Sequence, residues 1–132
     1  MTNHRIVLIT GANQGIGLQT AKELAARNCI VFVGSRDFAR GEAAAKTIEG
    51  DARAIQLDVT DAKSIAVAAA RIEREAGRLD VLINNAAISN TSFKAGMNLQ
   101  EYFKTTRAST ASLTEVRAVC ETNVFGPLSD EE

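Results

Sequence analysis

The chain has 132 residues, with 15 Lys and Arg against 16 Asp and Glu and a formal net charge of −1. Its 45% hydrophobic and 23% charged residues are ordinary for a globular protein and argue against disorder. The balanced charge provides no long-range attraction to nucleic acid or anionic lipid. The length suits one domain. The N-terminal apolar run, Ile6 to Ile9, is too short for a signal-peptide core or a membrane span. Cys29 and Cys120 lie far apart and form no metal or redox pair, which fits a reducing compartment. A soluble, cytoplasmic protein without a metal site is the expectation.

Four short apolar runs read as strands: Arg5–Thr10, Cys29–Gly34, Ala52–Leu57 and Leu79–Asn84. Their near-continuous apolar character suits strands covered on both faces, as in a parallel sheet. Between them, Ile16–Asn28, Ala39–Glu49 and Ala62–Ala76 read as helices. In the third, Ile65, Ala69, Ile72 and Ala76 share one predicted face, Asp61 or Thr60 can cap the start, and Gly77 can close the end. A βαβαβαβ order predicts right-handed crossovers and an open α/β sheet. Residues 88–111 are polar and aperiodic, as in a long functional loop. Ser112 and Glu115 form a capping-box pattern that opens a helix over 112–126, and residues 127–132 are an acidic tail.

The chemistry concentrates after the first strand, in Thr10-Gly11-Ala12-Asn13-Gln14-Gly15-Ile16-Gly17. Gly11 suits a tight turn, Gly15 close approach of the backbone to a pyrophosphate, and Gly17 close packing of helix and strand. The helix that begins there offers unpaired N–H groups and a positive dipole end to phosphate. The second strand ends at Ser35-Arg36-Asp37. An acidic residue there suits the ribose 2′-OH of NAD, and arginine suits the 2′-phosphate of NADP. Asp37 fits the first role, or caps the next helix; Arg36 and Arg40 fit the second. Spacing alone leaves both open.

These motifs, in this order, resemble the short-chain dehydrogenase/reductase family. Thr10–Gly17 matches its TGxxxGIG motif, Asp58-Val59 is similar to its adenine-contacting Asp, and Asn84-Asn85-Ala86-Ala87 resembles NNAG with alanine for glycine. The resemblance implies cofactor binding by Gly11, Asn13, Gln14, Gly15, Ile16, Gly17, Arg36, Arg40, Asp58, Val59, Asn85 and Ala86. It places Ser35 rather than Asp37 at the NAD-selecting position, so NADP(H) is expected ahead of NAD(H). It also gives Asn123 a supporting role, holding a water near a catalytic lysine.

The implied fold is a Rossmann-type doubly wound parallel sheet of strand order 3-2-1-4 with one further helix. It is a single incomplete domain over 1–132, truncated after about four strands. The family's Ser and Tyr-x-x-x-Lys have no match. Tyr102 is followed four positions later by Thr106 and precedes Asn123 instead of following it. The function expected is that of an NADP(H)-dependent carbonyl/alcohol oxidoreductase, here binding cofactor without catalysis. A small carbonyl or alcohol substrate is expected only if the missing half completes the chain. The alternatives are a non-catalytic dinucleotide-binding or interaction protein and an unstable incomplete product. Homo- or hetero-oligomers through the sheet edge or the last helix are further expected partners.

Overall fold

Runs of β-branched and aliphatic residues bury best as strands with neighbours on both faces, and four such runs pair here into one sheet. The structure is a computed structural model and describes residues 4–87 and the single positions Asn98, Gln100 and Thr122. The elements alternate: β1 (Ile6–Ile9), α1 (Gly15–Ala26), β2 (Ile30–Ser35), α2 (Phe38–Lys46), β3 (Ala52–Gln56), α3 (Ala62–Ala76) and β4 (Val81–Ile83). The sheet order is β3-β2-β1-β4, every pairing parallel, with Val7 opposite both Val31 and Val81. The chain thus runs outward from β1 to β3 and returns to β4 on the other side of β1. In open α/β sheets, ligands bind at such a reversal, beyond the carboxyl ends of the strands.

Pleating divides the side chains between two faces. Val7, Ile9, Val31, Val33 and Ala54 pack with Ala21 and Ala25 of α1 and Ala45 of α2. Ile6, Leu8, Phe32 and Ile55 pack with Ala68 and Ile72 of α3. Helices therefore cover both faces, as expected for a doubly wound sheet. Each large apolar side chain removed from water stabilises by roughly 1.5–3 kcal/mol, so the buried β1 and β2 carry much of the fold.

The element boundaries shift for identifiable reasons. β4 occupies only the middle of Leu79–Asn84. At its start, Asp80 Oδ2 accepts the Ile6 N–H at 2.7 Å; after its end, the Thr10 hydroxyl accepts the N–H groups of Asn85 and Ala86 at 3.0 and 2.9 Å. α2 ends before Glu49 because Thr47 folds back, its N–H and hydroxyl both donating to the Ala44 carbonyl. α3 has the predicted bounds, with Asp61 as N-cap and Gly77 as left-handed C-cap, but its buried face is turned. Ser64, Ala68 and Ile72 are buried, whereas Ala69 is exposed. The inward Ser64 makes polar contacts, which a hydrophobic period does not register. The predicted loop 88–111, helix 112–126 and tail 127–132 lie outside the described residues, as does Asn123.

Candidate functional site

The Thr10–Gly17 turn leaves β1 at the carboxyl end of the sheet. It is fastened on both sides. The Ala12 N–H donates to the Gly34 carbonyl at 2.8 Å, tying the turn to β2. On the β4 side, Asn85 Nδ2 donates to the Gly11 carbonyl at 3.0 Å. Thr10, only 1% exposed, joins β1 to residues 83–86: its N–H donates to the Ile83 carbonyl at 3.1 Å, and its hydroxyl accepts two N–H groups. A buried hydroxyl serving several backbone groups fixes the geometry of the turn. Sequence reasoning missed this role of Thr10; the signal available was a polar residue ending an otherwise apolar strand.

Geometry requires all three glycines of the turn, beginning with Gly11, which has φ +59° and where a Cβ would come 2.8 Å from the Ala86 Cα. Gly17 lies against the Asn85 amide, where a Cβ would come 2.5 Å from Nδ2 and 3.0 Å from the Ala12 Cα. Its close packing is therefore with the turn and with Asn85. Gly15 has φ +62°, and a Cβ there would meet nothing within 4 Å. That combination leaves open space directly over the backbone, which a ligand can approach closely. Next to it, Ile16 is 81% exposed, although a large apolar side chain gains most from burial.

The start of α1 completes an anion-binding geometry. Gln14 occupies the N-cap with extended backbone and no side-chain capping bond, and the first turn holds no acidic residue. The first N–H groups of an α-helix lack intrahelical acceptors, and they meet here the positive end of the helix dipole. Gly11, Asn13, Gln14, Gly15, Ile16, Gly17, Asn85 and Ala86 thus belong to one assembly. A phosphate group fits what they offer: backbone donors, positive potential and room.

Farther along the same end of the sheet, Ser35 is buried and its Oγ donates to the Asp37 carbonyl at 2.8 Å. Asp37 caps α2, with Oδ1 accepting the Arg40 N–H at 3.2 Å and Oδ2 3.8 Å from Arg40 Nε. Arg36 is exposed and its side chain has no ion pair among the described residues. Beyond β3, Asp58 Oδ1 accepts both the N–H and the hydroxyl of Thr60, at 2.9 and 2.6 Å, and Val59 is buried. The Asp58 turn is thus internally bonded. No group of three His, Cys, Asp or Glu able to hold a metal occurs among the described residues. No helix among them is long and apolar enough to cross a membrane.

Comparison with known proteins agrees with this architecture. A family profile described as short chain dehydrogenase matches residues 5–129. Retinol dehydrogenase 12 of Mus musculus is 45% identical over 89 residues, covering 64% of this chain and 28% of the relative. The Homo sapiens protein named carbonyl reductase (NADPH) 3 is 40% identical over 118 residues, covering 78% and 41%. The crystal structure of 3-ketoacyl-(acyl-carrier-protein) reductase from Brucella melitensis, complexed with NADH, superposes with TM-score 0.72 at 26% identity. It covers 96% of this chain and 47% of that one. The chain spans less than half the length of these relatives. With its β3-β2-β1-β4 sheet, its glycine turn and a match over nearly its whole length, the chain belongs to the short-chain dehydrogenase/reductase family of oxidoreductases.

Proposed function

We propose that this chain is the cofactor-holding part of an NADP(H)-dependent oxidoreductase acting on a carbonyl or alcohol. The observation that carries the proposal is the start of α1, which has no side-chain cap and opens onto free space at Gly15. In this reading the pyrophosphate lies over Gly15 and the first N–H groups of α1. Asn13, Gln14 and Ile16 border it, and Asn85 and Ala86 hold the turn from behind. The Asp58-Val59 turn borders the adenine.

The choice of NADP(H) over NAD(H) rests on three residues at the end of β2. Ser35 offers no carboxylate for the ribose 2′-OH. Asp37 is committed to capping α2. Arg36, exposed beside them, is then the guanidinium that meets a 2′-phosphate, with Arg40, on the first turn of α2 and 3.8 Å from Asp37 Oδ2, in support. The name of the carbonyl reductase relative agrees with this choice, whereas the bacterial reductase is complexed with NADH, so the family fold alone does not make it.

When bound, the nicotinamide supplies the hydride. An acid must then protonate the developing alkoxide. The family's Tyr-x-x-x-Lys pair has no match in these 132 residues, so the proposal gives this chain binding without turnover on its own. Asn123 keeps the supporting role that the resemblance implies. Titration of the purified chain with NADPH and NADH, followed by fluorescence and thermal stability together, tests the reading. Tighter binding of NADPH with a matching rise in melting temperature is expected. Absence of binding by either dinucleotide would overturn it.

A further inference from the structure

The carboxyl end of β3 carries a polar pair to which the cofactor reading assigns no role. Ser64, buried in the first turn of α3, donates its hydroxyl proton to Gln56 Oε1 at 2.8 Å and accepts the Asp58 N–H at 2.9 Å. With Oε1 engaged there, Gln56 Nε2 donates to the Arg36 carbonyl at 3.3 Å. The Arg36 carbonyl can only accept, so it must face Nε2, and this turns Oε1 toward Ser64, whose hydroxyl supplies the proton. The reversed amide would set oxygen against the Arg36 carbonyl. From β2, Ser35 Oγ donates to the next carbonyl, that of Asp37, at 2.8 Å. Two successive carbonyls of one turn are thus held by side chains from two adjacent strands. The Asp58 turn hangs on the same Ser64 hydroxyl.

We infer that Gln56, braced by Ser64, is a positioning residue for cofactor choice: it anchors the Arg36 turn to the Asp58 turn and so holds the Arg36 backbone where its guanidinium meets a 2′-phosphate. The inference rests on the assignment of Arg36 to that phosphate. Without the anchor, the turn must be ordered at the moment of binding, which weakens the contact without removing the charge. The adenine side is common to phosphorylated and unphosphorylated ligands, so its changes cancel in their ratio.

The experiment titrates the full chain, Gln56→Leu, Ser64→Ala and Arg36→Ala with adenosine 2′,5′-bisphosphate and with adenosine 5′-monophosphate, and records each melt. Loss of one neutral hydrogen bond corresponds to an expected drop of about three- to tenfold for the bisphosphate in Gln56→Leu, with the monophosphate changed less than about twofold. Ser64→Ala should lower the same ratio in the same direction, which keeps the inference testable if Gln56→Leu does not fold. Equal losses for both ligands, or an unchanged ratio while Arg36→Ala lowers it, would overturn the inference and leave the cofactor reading standing. A wild-type chain without preference for the bisphosphate, indifferent to Arg36→Ala, would overturn that reading and the inference with it.

Discussion

Three helices begin at the carboxyl end of one parallel sheet, and their starts differ. α2 and α3 each begin under an aspartate: Asp37 Oδ1 accepts the Arg40 N–H at 3.2 Å, and Asp61 Oδ1 accepts the Lys63 N–H at 3.0 Å. α1 begins at Gln14 with no side-chain bond to its first turn. An aspartate cap stabilises a helix by typically about 1 kcal/mol, and a carboxylate adds a favourable interaction with the dipole. α1 goes without both, beside a glycine turn that is otherwise bonded on two sides. An uncapped start held this firmly is what an anion site needs: the donors are fixed in place, and among the described residues no side chain caps them. The same fold thus closes two helix starts with its own carboxylates, and in the proposed reading the third meets the charge of a ligand.

The largest effect is expected where that space is filled. Gly15→Val puts a branched side chain at φ +62°, over the open backbone. Dinucleotide affinity should fall more than about a hundredfold in a chain whose circular dichroism shows it folded, because both the room and the turn geometry are lost. Undiminished affinity in a folded variant would reduce the glycine turn to a structural feature. Next in size is Arg36→Ala. A charge-assisted contact contributes about 1.5–3 kcal/mol, so NADPH binding should weaken roughly ten- to a hundredfold while NADH changes little. Equal losses with both cofactors would move Arg36 away from the 2′-phosphate.

The comparison between helix starts can be reversed by design. Gln14→Asp gives α1 the cap that its neighbours have. It should raise the melting temperature slightly and weaken NADPH by about tenfold, since its carboxylate then competes with the pyrophosphate for the same N–H groups. Asp61→Ala makes the opposite change at α3 and should cost about 1 kcal/mol of stability with NADPH affinity kept within about twofold. Tighter NADPH binding by Gln14→Asp would place the phosphates elsewhere.

Much of this was legible in the residues. Strand runs such as Ile6–Ile9 are apolar throughout because both faces are covered, and a glycine turn after β1 is readable from spacing alone. What escaped were polar side chains turned inward. Ser64 rotates the buried face of α3 away from Ala69, and Thr10 shortens β4 by taking the N–H groups of Asn85 and Ala86. Hydrophobic period reports where water is excluded and says nothing of a hydroxyl that is buried because it has partners. The rivalry between Asp37 and Arg36 was likewise undecidable from spacing. In the proposed reading it turns on how far the carboxylate is engaged, and spacing does not show that Asp37 Oδ1 accepts the Arg40 N–H.

The smallest expected effect lies at the opposite end of the strands, where charge holds the sheet together without touching the candidate site. Asp80 Oδ2 accepts the Ile6 N–H at 2.7 Å, and Arg78 Nε lies 3.0 and 3.2 Å from the two carboxylate oxygens. The Ile6 N–H first, and then Arg78, hold this carboxyl below the usual carboxylate range. The folded state therefore binds a proton here less readily than the unfolded chain, whose aspartates titrate near about 3.9. The resulting stability is present above that value and is lost as pH falls through the lower folded value. Asp80→Asn should melt below the wild type at pH 7, and the difference should narrow as pH is lowered from about 5 toward about 2. NADPH affinity at neutral pH should stay within about twofold, because Asp80 precedes β4 and Asn85 follows it. A difference that does not change with pH would mean that the charge of Asp80 contributes nothing. A large loss of NADPH affinity would mean that the two ends of β4 are coupled, and that the distinction between a ligand end and a purely structural end of the sheet does not hold.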